Sequence, residues 1–266
     1  MQQKISSFIG RRRNWSIPYV LFLGFFVVVP MLLIAYYAFT NAEGNFTLAN
    51  IRKFWVHPEA MNTFIYSVVV ALITTVLCIL IGYPAAYILS KMEARKARLL
   101  VILFILPMWV NFLIRTLATV ALFDFLKLPL GEGALIFGMV YNFLPFMIYP
   151  IYNILQKTDQ NLIEAAQDLG ANPRQVFLKT VLPLSVPGIM SGVIMVFMPV
   201  ISTFAIAELL TINNIKLFGT TLQENIYNGT WNYGAALSLL MLLMIGLTAM
   251  LNRDGNSKAA EEGGLI

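Results

Sequence analysis

Six long apolar stretches are the feature that most constrains how this chain folds. They lie at residues 18–39, 63–89, 99–123, 134–155, 186–210 and 233–251. About 20 helical residues cross the hydrocarbon core of a bilayer, and a helix satisfies its own backbone hydrogen bonds in lipid. With 59% hydrophobic and 12% charged residues, the chain is too apolar for an ordinary water-soluble domain. We therefore predict an all-α integral membrane protein with six transmembrane helices.

Lysine and arginine are distributed unevenly between the loops. Of the 18 lysine and arginine residues, 13 lie in the two terminal segments and in the second and fourth of the loops that separate the stretches. The opposite loops carry 4, and Arg115 lies inside a stretch. Because cytoplasmic loops retain positive charge, the richer side is predicted to be cytoplasmic, with both termini. This explains the net charge of +5 without a nucleic-acid partner.

The segments outside the apolar stretches are short. Residues 1–17 are predicted to be a cytoplasmic N-terminal segment, and residues 18–251 a single transmembrane domain. The external loop at 40–62 is either a short interfacial helix or an aromatic belt around Trp55. Small and charged residues at 252–266 are typical of a disordered cytoplasmic tail.

One polar segment, residues 157–185, separates the fourth and fifth stretches. Asn161, with Glu164 three residues later, fits a capping box that starts a first helix. Gly170 is placed to end that helix in the left-handed conformation. Asn172, followed by a proline, then starts a second helix. The polar segment is therefore predicted to fold as helix, turn, helix.

The first predicted helix of the polar segment carries an apolar stripe. Its members recur at helical spacing and are Leu162, Ala165, Ala166 and Leu169. Pro183 is predicted to end the second helix or to bend the chain into the fifth stretch. Two interpretations follow: the helices merely connect two spans at the membrane surface, or they dock another protein. The two sets of helix signals exceed what a connector needs and favour docking.

The polar segment resembles a cytoplasmic motif of the permease subunits of type I ATP-binding-cassette (ABC) importers. That motif is Glu-Ala-Ala, three residues, Gly, nine residues, Ile, one residue, Leu-Pro. The matching residues here are Glu164, Ala165, Ala166, Gly170, Leu182 and Pro183. Thr180 stands at the Ile position, a departure that is expected to weaken apolar docking slightly. The resemblance implies that these residues couple the chain to a cleft in a separate ATP-hydrolysing subunit.

The resemblance extends over residues 18–251. Residues 106–115 (LPMWVNFLIR) and 140–152 (VYNFLPFMIYPIY) are similar to spermidine/putrescine permeases. The resemblance implies the type I importer permease fold and a location in a prokaryotic cell membrane. It also implies the following partners: two ABC ATPase subunits, a second permease subunit and an extracytoplasmic substrate-binding protein. The sequence contains no G-x-x-x-x-G-K-[ST] phosphate loop. We therefore expect magnesium ATP to be hydrolysed by the partner subunit, and no cofactor to be bound by this chain.

Ionisable side chains at membrane depth are costly and are candidates for function. Glu208, in the outer half of the fifth stretch, is predicted to meet an amine of a polyamine, to pair with a polar group such as Arg115, or to lie at the membrane interface. The resemblance also implies an acidic residue at this place. Arg115 is predicted to have a structural or gating role with Glu208 or Asp124 as partner, because an unpaired cation would repel a cationic substrate. Asp124 alternatively lies at the membrane interface.

Aromatic side chains attract ammonium groups through their π faces, by about 0.5–2 kcal/mol each. The candidates to line a cation pathway are Trp109, Tyr141, Tyr149 and Tyr152. Packing against helices or lipid is the competing explanation for these aromatic residues. Prolines within the stretches predict helix kinks at Pro107, Pro145, Pro150 and Pro199.

The sequence thus predicts a permease subunit that takes up polyamines by alternating access, without catalytic residues or a metal site of its own. A self-sufficient channel or secondary carrier for a small cationic solute is the alternative, with Glu208 as its ion site. That alternative leaves the polar segment unexplained. A membrane-embedded enzyme is disfavoured, because the sequence has no G-x-S-x-G motif and only one histidine, His57, and one cysteine, Cys78.

Overall fold

The computed structural model describes residues 17–263, with side chains at 18–248 and 250, so most of the predicted segment 1–17 lies outside the described residues. Five helices in this range are long and apolar enough to cross a membrane, and a bent helix pair makes a sixth when counted as one span. The chain forms two compact units. Among the described residues, one contains 17–58 and Glu224–Leu242, and the other contains Glu59–Gln223 and 243–263.

The first unit begins with helix α1, which consists of Ile17–Leu23, a π-helical stretch at Gly24–Val28, and Val29–Ala38. None of its membrane-spanning window is buried within the chain, as expected for a helix whose neighbours are lipid or another subunit. Helix α2 (Ala49–Val56) confirms the short helix predicted in the external loop. Trp55 on α2 is exposed, as an aromatic belt residue would be.

Two asparagine side chains hold the end of α1. Asn232 Nδ2 lies 2.8 Å from the carbonyl oxygen of Thr40 and 3.2 Å from that of Tyr37. Asn50 Nδ2 donates to the carbonyl oxygens of Thr40, at 2.9 Å, and Ala38, at 3.2 Å. The last carbonyl groups of a helix lack partners within the helix, so these amides replace the missing hydrogen bonds.

The remaining helices are α3 (Pro58–Lys91), α4 (Ala94–Ile105), α5 (Phe112–Phe125), α6 (Glu132–Lys157), α7 (Gln160–Asp168), α8 (Pro173–Val176), α9 (Leu182–Ser202), α10 (Ala205–Thr211), α11 (Phe218–Tyr227) and α12 (Trp231–Gly263). In the second unit α6 is the central helix, and it packs against α9, α10, α5 and α4. Helix α9 makes the most extensive of these contacts. Prolines within α6 and α9 are accommodated inside continuous helices.

Glycines allow the central helices to approach closely. A Cβ atom at Gly188 would lie 3.1 Å from the Ile151 Cα of α6, and one at Gly192 would lie 2.6 Å from the Met147 Sδ. A Cβ atom at Gly138 of α6 would overlap the Leu210 side chain of α10. Small residues at helix interfaces are typical of membrane proteins, because backbone proximity maximises van der Waals contact where no hydrophobic driving force exists.

The third predicted stretch, 99–123, forms two helices and not one, and it bends next to Pro107, where a kink was predicted. Its two halves, Ala94–Trp109 and Phe112–Phe125, meet at an angle of 95°. Pro107 lies in a 3₁₀ turn (Leu106–Trp109), where its missing N–H weakens the helix. Asn111 then caps α5, since its Oδ1 accepts from the Leu113 N–H at 2.8 Å. A turn residue and a cap inside an apolar run therefore divide it.

The fifth predicted stretch, 186–210, also does not form one helix. Helix α9 ends at Ser202, Thr203 is extended, and α10 begins at Ala205. A Cβ atom at Gly219, on α11, would lie 2.6 Å from the Ser202 carbonyl oxygen. The break is therefore stabilised by close tertiary packing, which the local sequence does not reveal.

Helix α11 was absent from the predicted elements, because at ten residues it is too short to span a bilayer. It is attached to α3 by a hydrogen bond in which the Phe218 N–H donates to Ser67 Oγ at 2.7 Å. The rings of Phe64 and Phe218 also meet edge to face, 5.2 Å apart.

The prediction of disorder for the tail is wrong up to Gly263, because α12 continues to that residue. The Lys-Ala-Ala-Glu-Glu run at 258–262 consists of strong helix formers.

Candidate functional site

The polar segment folds as helix, turn, helix, as predicted. Helix α6 ends at Lys157, and α7 follows with Asp159 as its N-cap. The Asp159 Oδ1 accepts from the Asn161 N–H at 3.0 Å. The prediction of Asn161 as the cap is therefore wrong, because an acidic cap two residues earlier takes that role.

The turn between α7 and α8 confirms two predicted residues. Gly170 has φ +83°, a left-handed conformation that disfavours residues with a Cβ atom. Asn172 caps α8: its Oδ1 accepts from the Gln175 N–H at 2.9 Å, and Gln175 Oε1 accepts from the Asn172 N–H at 2.9 Å. This reciprocal pair is a capping box, with Pro173 at the first helical position.

Pro183 does not end the helix, so the first of the two predicted alternatives is wrong. Helix α8 runs into a π-helical stretch at Phe177–Val181, and α9 continues from Leu182. Pro183 lies in the first turn of α9, where a proline is tolerated because the wider π turn precedes it. Leu182 is half-buried and Pro183 is exposed.

The predicted apolar stripe of α7 faces away from the rest of this chain. Leu169 is 89% exposed, and Leu162 is also exposed. Ile163 is the buried residue of α7. Within the motif, Glu164 and Ala165 are exposed and Ala166 is half-buried. The helix thus attaches through Ile163, while Leu162 and Leu169 of the apolar stripe remain exposed.

The inner side of the polar segment contacts α3 at Tyr83 and Tyr87, two residues that the sequence analysis missed. Val176 and Val181 are buried, and the ring of Phe177 meets the rings of Tyr83 and Tyr87. The four-residue spacing of the two tyrosines, which places them on one face of a helix, is the signal that was available.

Glu208 lies on the short helix α10, after the break, and not in the fifth span as predicted. Its side chain is half-buried. Arg115 is 8% exposed on α5, and its Nε and Nη1 atoms have no hydrogen-bond partner among the described residues. In that part of the chain no ion pair joins Arg115 to Glu208 or to the exposed Asp124. The predicted pairing of Arg115 with Glu208 or Asp124 is therefore not found among the described residues.

The predicted aromatic residues do not form one cluster. Trp109 is 81% exposed beside the bend between α4 and α5, and Tyr141 and Tyr149 are exposed on α6. Tyr152 is buried, so it packs within the helix bundle. Within the described range, no group of three or more His, Cys, Asp or Glu residues is arranged to hold a metal ion.

Comparison with known proteins gives concordant results. The family of binding-protein-dependent transport system inner membrane components matches residues 79–254. The spermidine/putrescine transport system permease protein PotB of Haemophilus influenzae is 34% identical over 90% of this chain and 93% of its own length. PotB of Escherichia coli K12 is 32% identical over 85% of this chain and 90% of its own.

Two solved structures share the fold. A bacterial ABC transporter that imports the acidic polysaccharide alginate has a chain with TM-score 0.67 and 16% identity, covering 91% of this chain and 96% of that one. The inward-facing MetNI methionine ABC transporter gives TM-score 0.61 and 17% identity, covering 75% of this chain and 95% of that one. These similarities confirm the predicted ABC importer permease fold. This chain therefore belongs to the family of binding-protein-dependent transport system inner membrane components, the membrane permease subunits of ABC importers.

Proposed function

We propose that this chain is the permease subunit of a polyamine importer, and that its polar segment receives the motion of a separate ATPase. The two PotB proteins described above are named for spermidine and putrescine transport. Their identity of 32–34% over at least 85% of this chain supports the same substrate class. The importer requires two ATPase subunits, a second permease subunit and an extracytoplasmic binding protein.

The exposed face of α7 is the observation that carries the coupling role. Leu162 and Leu169 are exposed within this chain, in the polar segment that the charge distribution assigns to the cytoplasm. Burying a leucine side chain contributes about 1.5–3 kcal/mol, so contact with another protein would stabilise this face considerably. The small residues Ala165 and Ala166 between them permit close approach.

This chain performs no covalent chemistry in the proposed cycle. The partner ATPases bind and hydrolyse magnesium ATP, and their closure moves the polar segment as a rigid body. The helices connected to it then tilt, and the pathway opens alternately to the two sides. Both termini remain cytoplasmic throughout.

Glu208 is the proposed contact for substrate amines. A half-buried carboxylate on the short α10 helix offers a negative charge to a passing ammonium group. Trp109, Tyr141 and Tyr149 are proposed to provide cation–π contacts along the pathway. Arg115 and Asp124 are proposed to have structural or gating roles, with Arg115 excluding cations from its own vicinity.

Reconstitution in proteoliposomes tests this function. The chain is combined with the second permease, the ATPase and the binding protein encoded beside it, and uptake of labelled spermidine and putrescine is measured. We expect uptake that requires both ATP and the binding protein. ATPase stimulation by the binding protein without polyamine uptake would contradict the substrate class. Uptake driven by an ion gradient, with this chain alone, would establish the carrier alternative instead.

The docking face has a matched pair of variants. Leu169→Asp places a charge on the most exposed residue of the predicted apolar stripe, at the C-terminal end of α7, and we expect it to abolish co-purification with the ATPase. Asn161→Asp places the same charge at the start of the same helix, where the residue is exposed, and we expect it to retain the ATPase. Equal retention by both variants would contradict docking through α7.

A further inference from the structure

A group of aromatic rings, Phe177, Tyr83 and Tyr87, connects the polar segment to the transmembrane bundle, and we call it the aromatic clamp. The ring of Phe177 lies edge-on to Tyr83, with centroids 5.9 Å apart, and edge-on to Tyr87, at 5.4 Å. Tyr83 and Tyr87 are one helical turn apart on α3, so the Phe177 ring contacts both from one side. Edge-to-face arrangements are favourable beyond the area they bury.

A buried hydrogen bond completes this connection. The hydroxyl oxygens of Tyr83 and Ser185 are 3.0 Å apart. The Ser185 hydroxyl donates to the Leu182 carbonyl oxygen at 2.8 Å, so its single proton is already used. The Tyr83 hydroxyl therefore donates to Ser185 Oγ. Both side chains are buried, where loss of a hydrogen-bond partner is costly.

The clamp is placed where motion would enter the bundle. Phe177 is the first residue of the π-helical stretch between α8 and α9, directly after the α7–turn–α8 element. A π-helical turn is a local irregularity that is frequent at functional sites. On α3, Gly82 next to Tyr83 packs against α6, because a Cβ atom there would lie 3.1 Å from Met147 Cγ. A displacement of Phe177 is thus passed to α3 and from α3 to the central helix.

We propose that Phe177, Tyr83 and Tyr87 are positioning residues that transmit movement of the polar segment to α3 during transport. This inference rests on the proposed coupling function. It differs from docking, because the clamp faces the inside of this chain whereas Leu162 and Leu169 face outward. Loss of the clamp leaves the ATPase attached but disconnects its motion from the bundle.

The test uses the reconstituted full complex and compares uptake per ATP hydrolysed. Phe177→Leu keeps an apolar side chain but removes the ring, and we expect the ratio to fall about tenfold, since two edge-on ring contacts are lost. Phe177→Tyr keeps the ring and is expected to restore a near-normal ratio. Leu178→Ala is the matched control, because Leu178 is adjacent and exposed, and it should behave as the wild type.

Association with the ATPase and the thermal unfolding midpoint are measured for every variant. A purely structural role would lower the midpoint without changing uptake per ATP in the complexes that survive. Should Phe177→Leu fail to assemble, Tyr87→Leu removes the same contact from α3 and decides the question. A wild-type complex that does not couple to ATP would overturn the proposed function itself. If the wild-type complex couples uptake to ATP and Phe177→Leu has a normal ratio of uptake to ATP hydrolysed, only the clamp is overturned. Where Phe177→Leu does not assemble, a normal ratio in Tyr87→Leu has the same meaning.

Discussion

Position 170 favours glycine because of its backbone conformation, and not because space is lacking there. Its φ of +83° is left-handed, yet a Cβ atom there would meet nothing within 4 Å. For a residue with a Cβ atom this conformation costs about 1–2 kcal/mol, and a β-branched residue tolerates it least. We expect Gly170→Val to insert and assemble normally but to lose uptake per ATP hydrolysed, because the turn that orients α7 is distorted.

Asparagine provides the control at this position. Asn adopts the left-handed conformation more readily than other non-glycine residues. Gly170→Asn is therefore expected to retain most of the transport activity, although it adds a side chain, as Gly170→Val does. If Gly170→Val and Gly170→Asn lost activity equally, side-chain size would matter and the conformational explanation would fail.

The charge of Glu208 is a separate prediction at the residue scale. Glu208→Gln keeps the size of the side chain and removes the negative charge that is proposed to attract ammonium groups. We expect uptake of spermidine and putrescine to fall several-fold while assembly and basal ATP hydrolysis stay unchanged. Glu43→Gln is the control, since Glu43 is an exposed carboxylate in the loop between α1 and α2 and has no proposed role in transport. Normal polyamine uptake by Glu208→Gln would show that Glu208 is only structural.

Residues whose role is set by their immediate neighbours in the chain were predictable. Gly170 and Asn172 were identified because a left-handed turn and a capping box need only a few adjacent residues. The cap at Asp159 was missed because the Asn161–Glu164 spacing offers an equally good local pattern. Which side of α7 faces the chain was not predictable, since Leu162 and Ile163 are equally apolar neighbours.

At the scale of elements, the contact between α6 and α10 positions Glu208. Gly138 lies against the fully buried Leu210, and a side chain at Gly138 would overlap it. Gly138→Val is expected to displace α10 and to destabilise the protein by about 1–3 kcal/mol, as overpacking generally does. The measurement is the thermal unfolding midpoint in detergent, followed by polyamine uptake.

A second substitution makes this prediction specific. Leu210→Ala removes the side chain that a residue at 138 would meet, so the double variant should recover part of the stability that Gly138→Val loses. Gly246→Val is the control, because a Cβ atom there has nothing within 4 Å. Additive losses in the double variant would mean that Gly138 and Leu210 are not directly coupled.

The breaks in the apolar stretches show where element prediction fails. Hydropathy alone cannot distinguish one span from two helices at 95°, because both are uniformly apolar. Pro107 together with Asn111 was a local signal for the first break, since a weakened helix is followed by a cap. The break at Thr203 depends on Gly219, sixteen residues later, and no local pattern encodes it.

For the whole molecule, the charge distribution and the exposed surfaces lead to the same orientation. Leu162 and Leu169 are exposed in the polar segment, which belongs to the group of loops and termini that carries 13 of the 18 basic residues. The spanning part of α1 is wholly unburied within the chain, which suits lipid or a second permease. A permease subunit of this kind works within a complex, so exposed apolar surfaces such as those of α1 and α7 indicate where lipid or other subunits contact it.

Cysteine labelling tests this orientation directly. Glu43 lies in the loop between α1 and α2, Gln167 lies on α7, and both are exposed. With a membrane-impermeant maleimide, Glu43→Cys is expected to react in intact cells, and Gln167→Cys only after permeabilisation, because the membrane separates the two positions. The wild-type chain is its own control, since Cys78 is its single cysteine and is fully buried in α3. The opposite labelling pattern would place α7 outside the cell, away from any ATP, and both the orientation and the coupling role would then be wrong.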